Sequence, residues 1–370
     1  MNSNELVIVA LSGGVDSAVS AMQLRDAGYR VECLHMSNWE DDGYCEAARD
    51  FQDARRICGH LGLPLHRVNF SVQYKERVFA DFLDELRRGR TPNPDVLCNR
   101  EIKFGTLWNY ARRLGGKWLA TGHYARAMST EDGQLHLRKG RDTAKDQSYF
   151  LHALDEGDLR HVLFPLGEML KTDVRRIARD AGLPVATKKD STGICFVGER
   201  PFARFIGEYL PTNPGEIKDP EGRTLGTHQG LAYYTLGQRR GLGIGGRADC
   251  GEGAWYVARK DLRANELIVV QGTENPALHQ NQLTTAAMHW INKPVPEWSD
   301  RQPFQCRAKT RYRQPDQLCT VTRSPEGGLR VRFAQPQRAV TPGQYVVLYE
   351  GSRCLGGARI ESAEMCSDTD

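Results

Sequence analysis

Between Glu5 and Ala27 the chain reads ELVIVAL, SGGVDS, AVSAMQLRDA, an apolar run, a tight polar turn and a helix-period segment in direct succession. A strand that feeds a helix through two glycines leaves few folds open. The helix start turns its unpaired N–H groups and the positive end of its dipole toward the turn, and the glycines let an anion approach the backbone. Ser12 and Ser17 add hydroxyl donors. The turn lacks the Gly-Lys-Ser/Thr of a Walker loop and the spaced glycines of a dinucleotide fingerprint, so neither motif applies. A glycine turn that merely caps a helix is the bland reading of the same residues.

The alternation continues. Residues 30–36 and 65–70 read as strands, 46–61 and 72–88 as helices, and 104–114 as a helix leading into a strand at 117–122. Helices are expected near 147–162 and 172–181. Strands alternating with helices imply right-handed parallel crossovers, hence an α/β, Rossmann-like doubly wound sheet with its ligand at the carboxyl ends of the strands. After residue 200 the pattern shifts to short alternating runs punctuated by DPEG (219–222) and SPEGG (324–328), both turn signals. The expected organisation is residues 1–205 as the α/β domain, 206–274 as a small β-rich domain and 275–370 as a C-terminal β-barrel. A length of 370 residues suits two or three such cores.

Composition narrows the partners. No run reaches the roughly 18 apolar residues of a membrane span, and Leu6 to Leu11 follows no basic segment, so a cytoplasmic chain is expected. A net charge of +4 is too small for a protein that coats nucleic acid, so any nucleic-acid partner has to be met by local patches. Ten cysteines without C-x-x-C spacing read as reduced thiols, not as a zinc ribbon or a secreted scaffold. The glycine-rich GLGIGG (241–246) follows QRR and opens no helix, and reads as a flexible basic loop.

In TPNPDVLCNR (91–100), Cys98 follows two prolines and precedes Asn99, Arg100 and Lys103, whose positive charge favours thiolate. Residue physics alone leaves it as a buried hydrophobe, a disulfide half or a nucleophile. His123 is likewise open between proton carrier, core histidine and RNA contact.

The segments ALSGGVDSAVSA, HMSNWE, TPNPDVLCNREIKF, ATGHYAR, KDQSYFL, DSTGICFVGERPF, YTLGQRRGLGIGG and TRYRQ together resemble the tRNA 2-thiouridylase family of the PP-loop ATP pyrophosphatases over nearly the whole chain. The resemblance implies an enzyme that uses ATP with Mg²⁺ to adenylate the C2 carbonyl of a wobble uridine and replaces that oxygen with sulfur. It assigns Ala10, Leu11, Ser12, Gly13, Gly14, Val15, Asp16, Ser17, Met36 and Gly122 to ATP, with Asp16 beside the magnesium and pyrophosphate. Sulfur arrives as a persulfide on Cys195, and Cys98 attacks it or resolves it through a transient Cys98–Cys195 disulfide; a moving 190–195 loop is expected. Asn93, Pro94 and Asp95 hold the target base, Asp95 acting in proton transfer. His123, Lys145, Asp146, Gln147, Arg311, Tyr312 and Gln344 fall at tRNA-contact positions. Implied partners are tRNA, of the Lys, Glu and Gln acceptor types, and a sulfur-relay protein or cysteine desulfurase. The remaining cysteines are assigned to packing or surface. Two rivals stay open, a PP-loop synthetase that uses ammonia and a noncatalytic tRNA-binding protein.

Overall fold

The computed structural model describes residues 4–39, 46–190, 200–245, 253–292, 303–325 and 327–366. Its first layer is built on β1 (Leu6–Ala10), β2 (Arg30–Ser37) and β3 (Leu65–Asn69), joined through α1 (Val15–Asp26) and α2 (Glu46–Leu61). With β4 (Trp118–Ala120) and β7 (Val162–Leu163) they form a sheet of order β3-β2-β1-β4-β7, parallel at every pairing. Along β1, Val7 and Val9 face one core with Ala18, Val19 and Val174, while Leu6 and Ile8 face the other with Phe82, Ile102 and Leu107. Burial on both faces is why the strand reads as an unbroken apolar run. The strand order runs outward from β1 in both directions, which opens a crevice at the carboxyl ends of β1 and β4.

Several expected helices are less regular than their periodicity suggests. The run at 72–88 is helical as α3 (Ser71–Tyr74) and α4 (Ala80–Arg87), with a π-helical segment Lys75–Phe79 between them. Residue 98 opens a second π-helical segment, Cys98–Leu107, set between α5 (Pro94–Leu97) and α6 (Trp108–Arg113). The expected 147–162 helix is corrected to α7 (Ser148–Leu151), α8 (Glu156–Leu159) and the edge strand β7. Asp155 restarts the helix with a reciprocal cap on Asp158, so one continuous helix cannot form across it. A hairpin, β5 (Ala125–Ser129) and β6 (Leu135–Lys139), was not expected; its β6 joins a strand of the C-terminal barrel at Arg138 and Arg353. The last helix of this region, α9 (Lys171–Asp180), stands as expected, and α10 (Phe202–Gly207) follows it.

The middle region is a sheet of β8 (Gly215–Lys218), β9 (Thr224–His228), β10 (Trp255–Asp261) and β11 (Glu266–Gln271). Leu242 and Ile244 are buried with Ile217, Val257 and Val269 in its core. The reading of this stretch as a flexible basic loop is therefore corrected over its described residues 241–245: Leu242 and Ile244 are packing groups, while the glycines around them and Arg239 and Arg240 before them are exposed.

The C-terminal region comprises β12 (His279–Thr285), β13 (His289–Trp290), β14 (Phe304–Lys309), β15 (Gln317–Arg323), β16 (Leu329–Arg338), β17 (Tyr345–Glu350) and β18 (Arg353–Glu364). Six of these run β12-β16-β15-β14-β17-β18, and β12 pairs back onto β18 to close a barrel around Leu283, Val331, Val346 and Ile360. Closure pairs each of the six strands on both sides. The barrel is tied to the α/β region through Arg359, which pairs with Asp81 at 2.9 Å and the buried Glu85 at 3.2 Å. No helix among the described residues is long and apolar enough to cross a membrane.

Candidate functional site

The turn after β1 is shaped by its own hydrogen bonds. The Ser17 hydroxyl donates to the Gly14 carbonyl at 3.1 Å and accepts from the Ser12 backbone N–H at 3.2 Å, closing the loop on the first turn of α1. Gly13 adopts φ +82°, and a Cβ there would stand 2.4 Å from the Asp50 carbonyl oxygen. From the other side, a Cβ on Gly122 would lie 2.9 Å from the Ser17 nitrogen, so only glycine lets the end of β4 close on the loop. Leu11, where the loop begins, accepts a hydrogen bond from His35 Nδ1 at 2.8 Å. Burial holds the His35 imidazole below its ordinary pKa, which keeps it a neutral donor. Met36 follows at the end of β2, half-buried against the core. Beside it the Ser37 hydroxyl and Asn38 Oδ1 are buried without a hydrogen-bond partner among the described residues, an arrangement that a bound polar ligand would relieve.

Asp16 sits in the first turn of α1, accepting from the Tyr124 hydroxyl at 2.7 Å and from Lys171 Nζ at 2.7 Å on each carboxylate oxygen. Lys171 also reaches Asp190 at 2.8 Å, and Asp190 is paired with Lys145 at 2.7 Å and Arg175 at 2.6 Å. Burial opposes the charge on Asp190, but Lys145 and Lys171 outweigh it and hold the carboxyl at about 2. Lys188 anchors the loop from behind, donating to the Gly13 carbonyl at 3.1 Å and pairing with Asp50 and Asp53.

The second half of the site is the turn at 91–98. The Asn93 side chain accepts from the Asp95 N–H and caps α5, with Pro94 at its first position. The turn is held from the barrel: Gln344 Nε2 donates to the Thr91 carbonyl at 2.8 Å, and Thr91 N–H donates to the Pro342 carbonyl at 2.9 Å. Cys98 is 5% exposed among Val96, Leu97 and Ile102. Burial raises the Asp95 carboxyl above its ordinary value, partly offset by the charge of Lys103. The same Lys103 acts on His123, whose imidazole burial already drives well below its ordinary pKa. His123 lies against the rings of Phe104 and Phe164, its Nδ1 2.8 Å from Thr121 Oγ1.

The expected RNA contacts separate into two kinds. Arg311 is exposed and Lys145 half-exposed. Asp146, by contrast, is 3% exposed and accepts from Gly140 N–H, Ser148 N–H and the Ser148 hydroxyl. Gln147 accepts from Tyr124 N–H at 3.0 Å, and Tyr312 packs its ring 4.5 Å from that of Phe150 while donating to the Lys145 carbonyl. Cys195 lies outside the described residues. Lys171, Asp190, Lys188 and Tyr124 escaped sequence reasoning. Tyr124 stands two residues past Gly122 in ATGHYAR and was within reach; a lysine at a helix start carries no local signature.

Three domain families match the chain in order: a tRNA methyl transferase HUP domain over residues 5–199, a tRNA methyl transferase PRC-barrel domain over 203–271, and an aminomethyltransferase beta-barrel domain over 280–360. Fold and matches together define a three-part protein with a HUP-type nucleotide-loop domain followed by two β domains. Among curated relatives, the tRNA-specific 2-thiouridylase MnmA of Alcanivorax borkumensis is 55% identical over 96% of this chain and 97% of its own length. That of Hahella chejuensis is 55% identical over 97% and 98%, and that of Sodalis glossinidius 52% identical over 99% of both. The chain belongs to the tRNA-specific 2-thiouridylase family.

Proposed function

We propose that this chain is an ATP-dependent tRNA-uridine 2-sulfurtransferase. The observation that carries this reading is the adjacency of Asp95 and the buried Cys98 on one turn, pinned by Gln344 and sharing the charge of Lys103 with His123. The phosphate groups of ATP would lie against the backbone amides from Ser12 to Ser17 at the start of α1. Among the described residues no group of three or more His, Cys, Asp or Glu side chains is arranged for a metal. A single carboxylate, Asp16, fits a magnesium ion whose other ligands are phosphate oxygens and water; bound there, the ion would neutralise charge on the departing pyrophosphate.

The uracil is a poor electrophile until its C2 oxygen carries AMP, and the enzyme gains by holding the base and ATP together. Asp95, with its carboxyl raised by burial, is suited to hydrogen-bond the base and exchange a proton with it. The C2 oxygen attacks the α-phosphorus, pyrophosphate leaves, and sulfur then displaces AMP. That sulfur comes from a persulfide on Cys195, charged by a relay protein or desulfurase. The Cys98 thiolate attacks the inner sulfur of that persulfide, forming the Cys98–Cys195 disulfide and liberating sulfide, or resolves the enzyme after direct transfer. Arg311 and Lys145 would meet RNA phosphates. Asp146, Gln147 and Tyr312 would act by fixing Lys145 and Tyr124, because their polar atoms are engaged within the protein.

Cys98→Ser is expected to abolish 2-thiouridine formation while ATP affinity stays within about twofold of wild type, since the phosphate loop makes no use of the thiol. Thiolation at the wild-type rate by that variant would reject the role of Cys98 in sulfur transfer, and nitrogen in place of sulfur in the wild-type product would favour an ammonia-using synthetase. A wild-type protein that binds tRNA but releases no pyrophosphate would favour a noncatalytic binder.

A further inference from the structure

Lys171 is 8% exposed, and its ammonium touches both oxygens of Asp16 at 2.7 Å and Asp190 at 2.8 Å. Asp190 has two further cations, Lys145 and Arg175, within 2.7 Å. Asp16 has no other cation within pairing distance among the described residues; its remaining partner is the Tyr124 hydroxyl. Asp190 thus keeps two cations of its own, and Lys171 is the cation of the cluster that stands beside the loop, at Asp16. The other lysine at the loop, Lys188, is engaged by the Gly13 carbonyl, Asp50 and Asp53, which fits a structural anchor.

An ionised Asp16 in the first turn of α1 repels any phosphate that the loop binds. Lys171 is the group placed to reverse that repulsion, and two oxygens of one carboxylate share its hydrogens, so a donor can turn to a phosphate without leaving Asp16 unpaired. Building on the nucleotide reading of the phosphate loop, we infer that Lys171 is a phosphate-binding residue that recognises the β- and γ-phosphates of ATP, the part released as pyrophosphate.

The test compares Lys171→Gln and Lys171→Arg with the wild type in titrations of the full-length protein with ATP and with AMP, each with magnesium. Loss of a charge-assisted contact to the outer phosphates weakens ATP by about tenfold or more in Lys171→Gln while AMP changes by less than about threefold. Lys171→Arg, which keeps the charge and also serves if Lys171→Gln does not fold, is expected to hold ATP within about threefold. Equal ATP affinity in Lys171→Gln and wild type, a parallel loss of ATP and AMP, or an Arg variant as weak as the Gln variant would overturn the assignment. Absence of ATP binding by the wild type would instead overturn the nucleotide reading beneath it.

Discussion

Gly122 shows what a single missing side chain does. A Cβ there would press on the Ser17 nitrogen at 2.9 Å and the Asp16 carbonyl carbon at 3.0 Å, both backbone atoms that cannot swing aside. Gly122→Ala is expected to push the loop off α1 and weaken ATP by about tenfold or more while leaving tRNA affinity unchanged, as parallel ATP and tRNA titrations would show. The loop itself was legible, because strand, glycine turn and helix are contiguous in sequence. Gly122 was legible only through family resemblance, since its contact with Ser17 spans the whole first half of the sheet. Lys171 and Asp190 were not legible at all: ion pairs between distant segments leave no pattern in either one. The charge of Lys103, expected to favour the Cys98 thiolate, bears on Asp95 and His123.

Among the elements, the turn that carries Asp95 and Cys98 owes its position to the barrel as much as to its own prolines. Gln344 holds the Thr91 carbonyl at 2.8 Å and stands 3.5 Å from Asn93 Nδ2. Gln344→Ala is therefore expected to lower the thiolation rate by about tenfold with ATP affinity unchanged, measured as single-turnover kinetics beside an ATP titration. Strongly periodic elements such as α2 and α9 were read closely from sequence, and α1, buried on most sides, from its place between the glycine turn and Gly28. Where the reading failed, a local signal competed with periodicity: Asp155 with Asp158 restarts a helix inside 147–162. The β5–β6 hairpin carries a visible cue in Asp132-Gly133, a pair favoured in tight hairpin turns. The π-helical stretch from Cys98 has no such cue, because its extra residue per turn reflects tertiary fit, and such distortions concentrate near functional sites.

At the scale of the whole molecule, the α/β region and the barrel share buried groups, and one of them makes stability depend on pH. His152, 1% exposed, packs against Tyr345 of β17, and its imidazole is pushed down to about 4 by burial, despite its hydrogen bond to the Tyr149 carbonyl. Between about 4 and the ordinary 6.5 the unfolded chain takes up a proton that the folded chain refuses, so stability falls as pH drops through that window. From pH 7 to pH 5 this one group removes about 2 kcal/mol, and urea unfolding of His152→Gln should show a pH dependence flatter by that amount. The change of pattern after residue 200 announced separate β regions, but the interface that joins them to the sheet, through Arg359, Gln344 and His152, depends on packing that no local window contains. The central claim is that this assembled site replaces a uridine oxygen with sulfur. It is tested most directly by mass spectrometry of tRNA nucleosides after incubation with the protein, ATP, magnesium and a persulfide source. A uridine whose mass rises by the difference between sulfur and oxygen, dependent on ATP, is the predicted result; unchanged uridine, or a gain matching a methyl group instead, would contradict it.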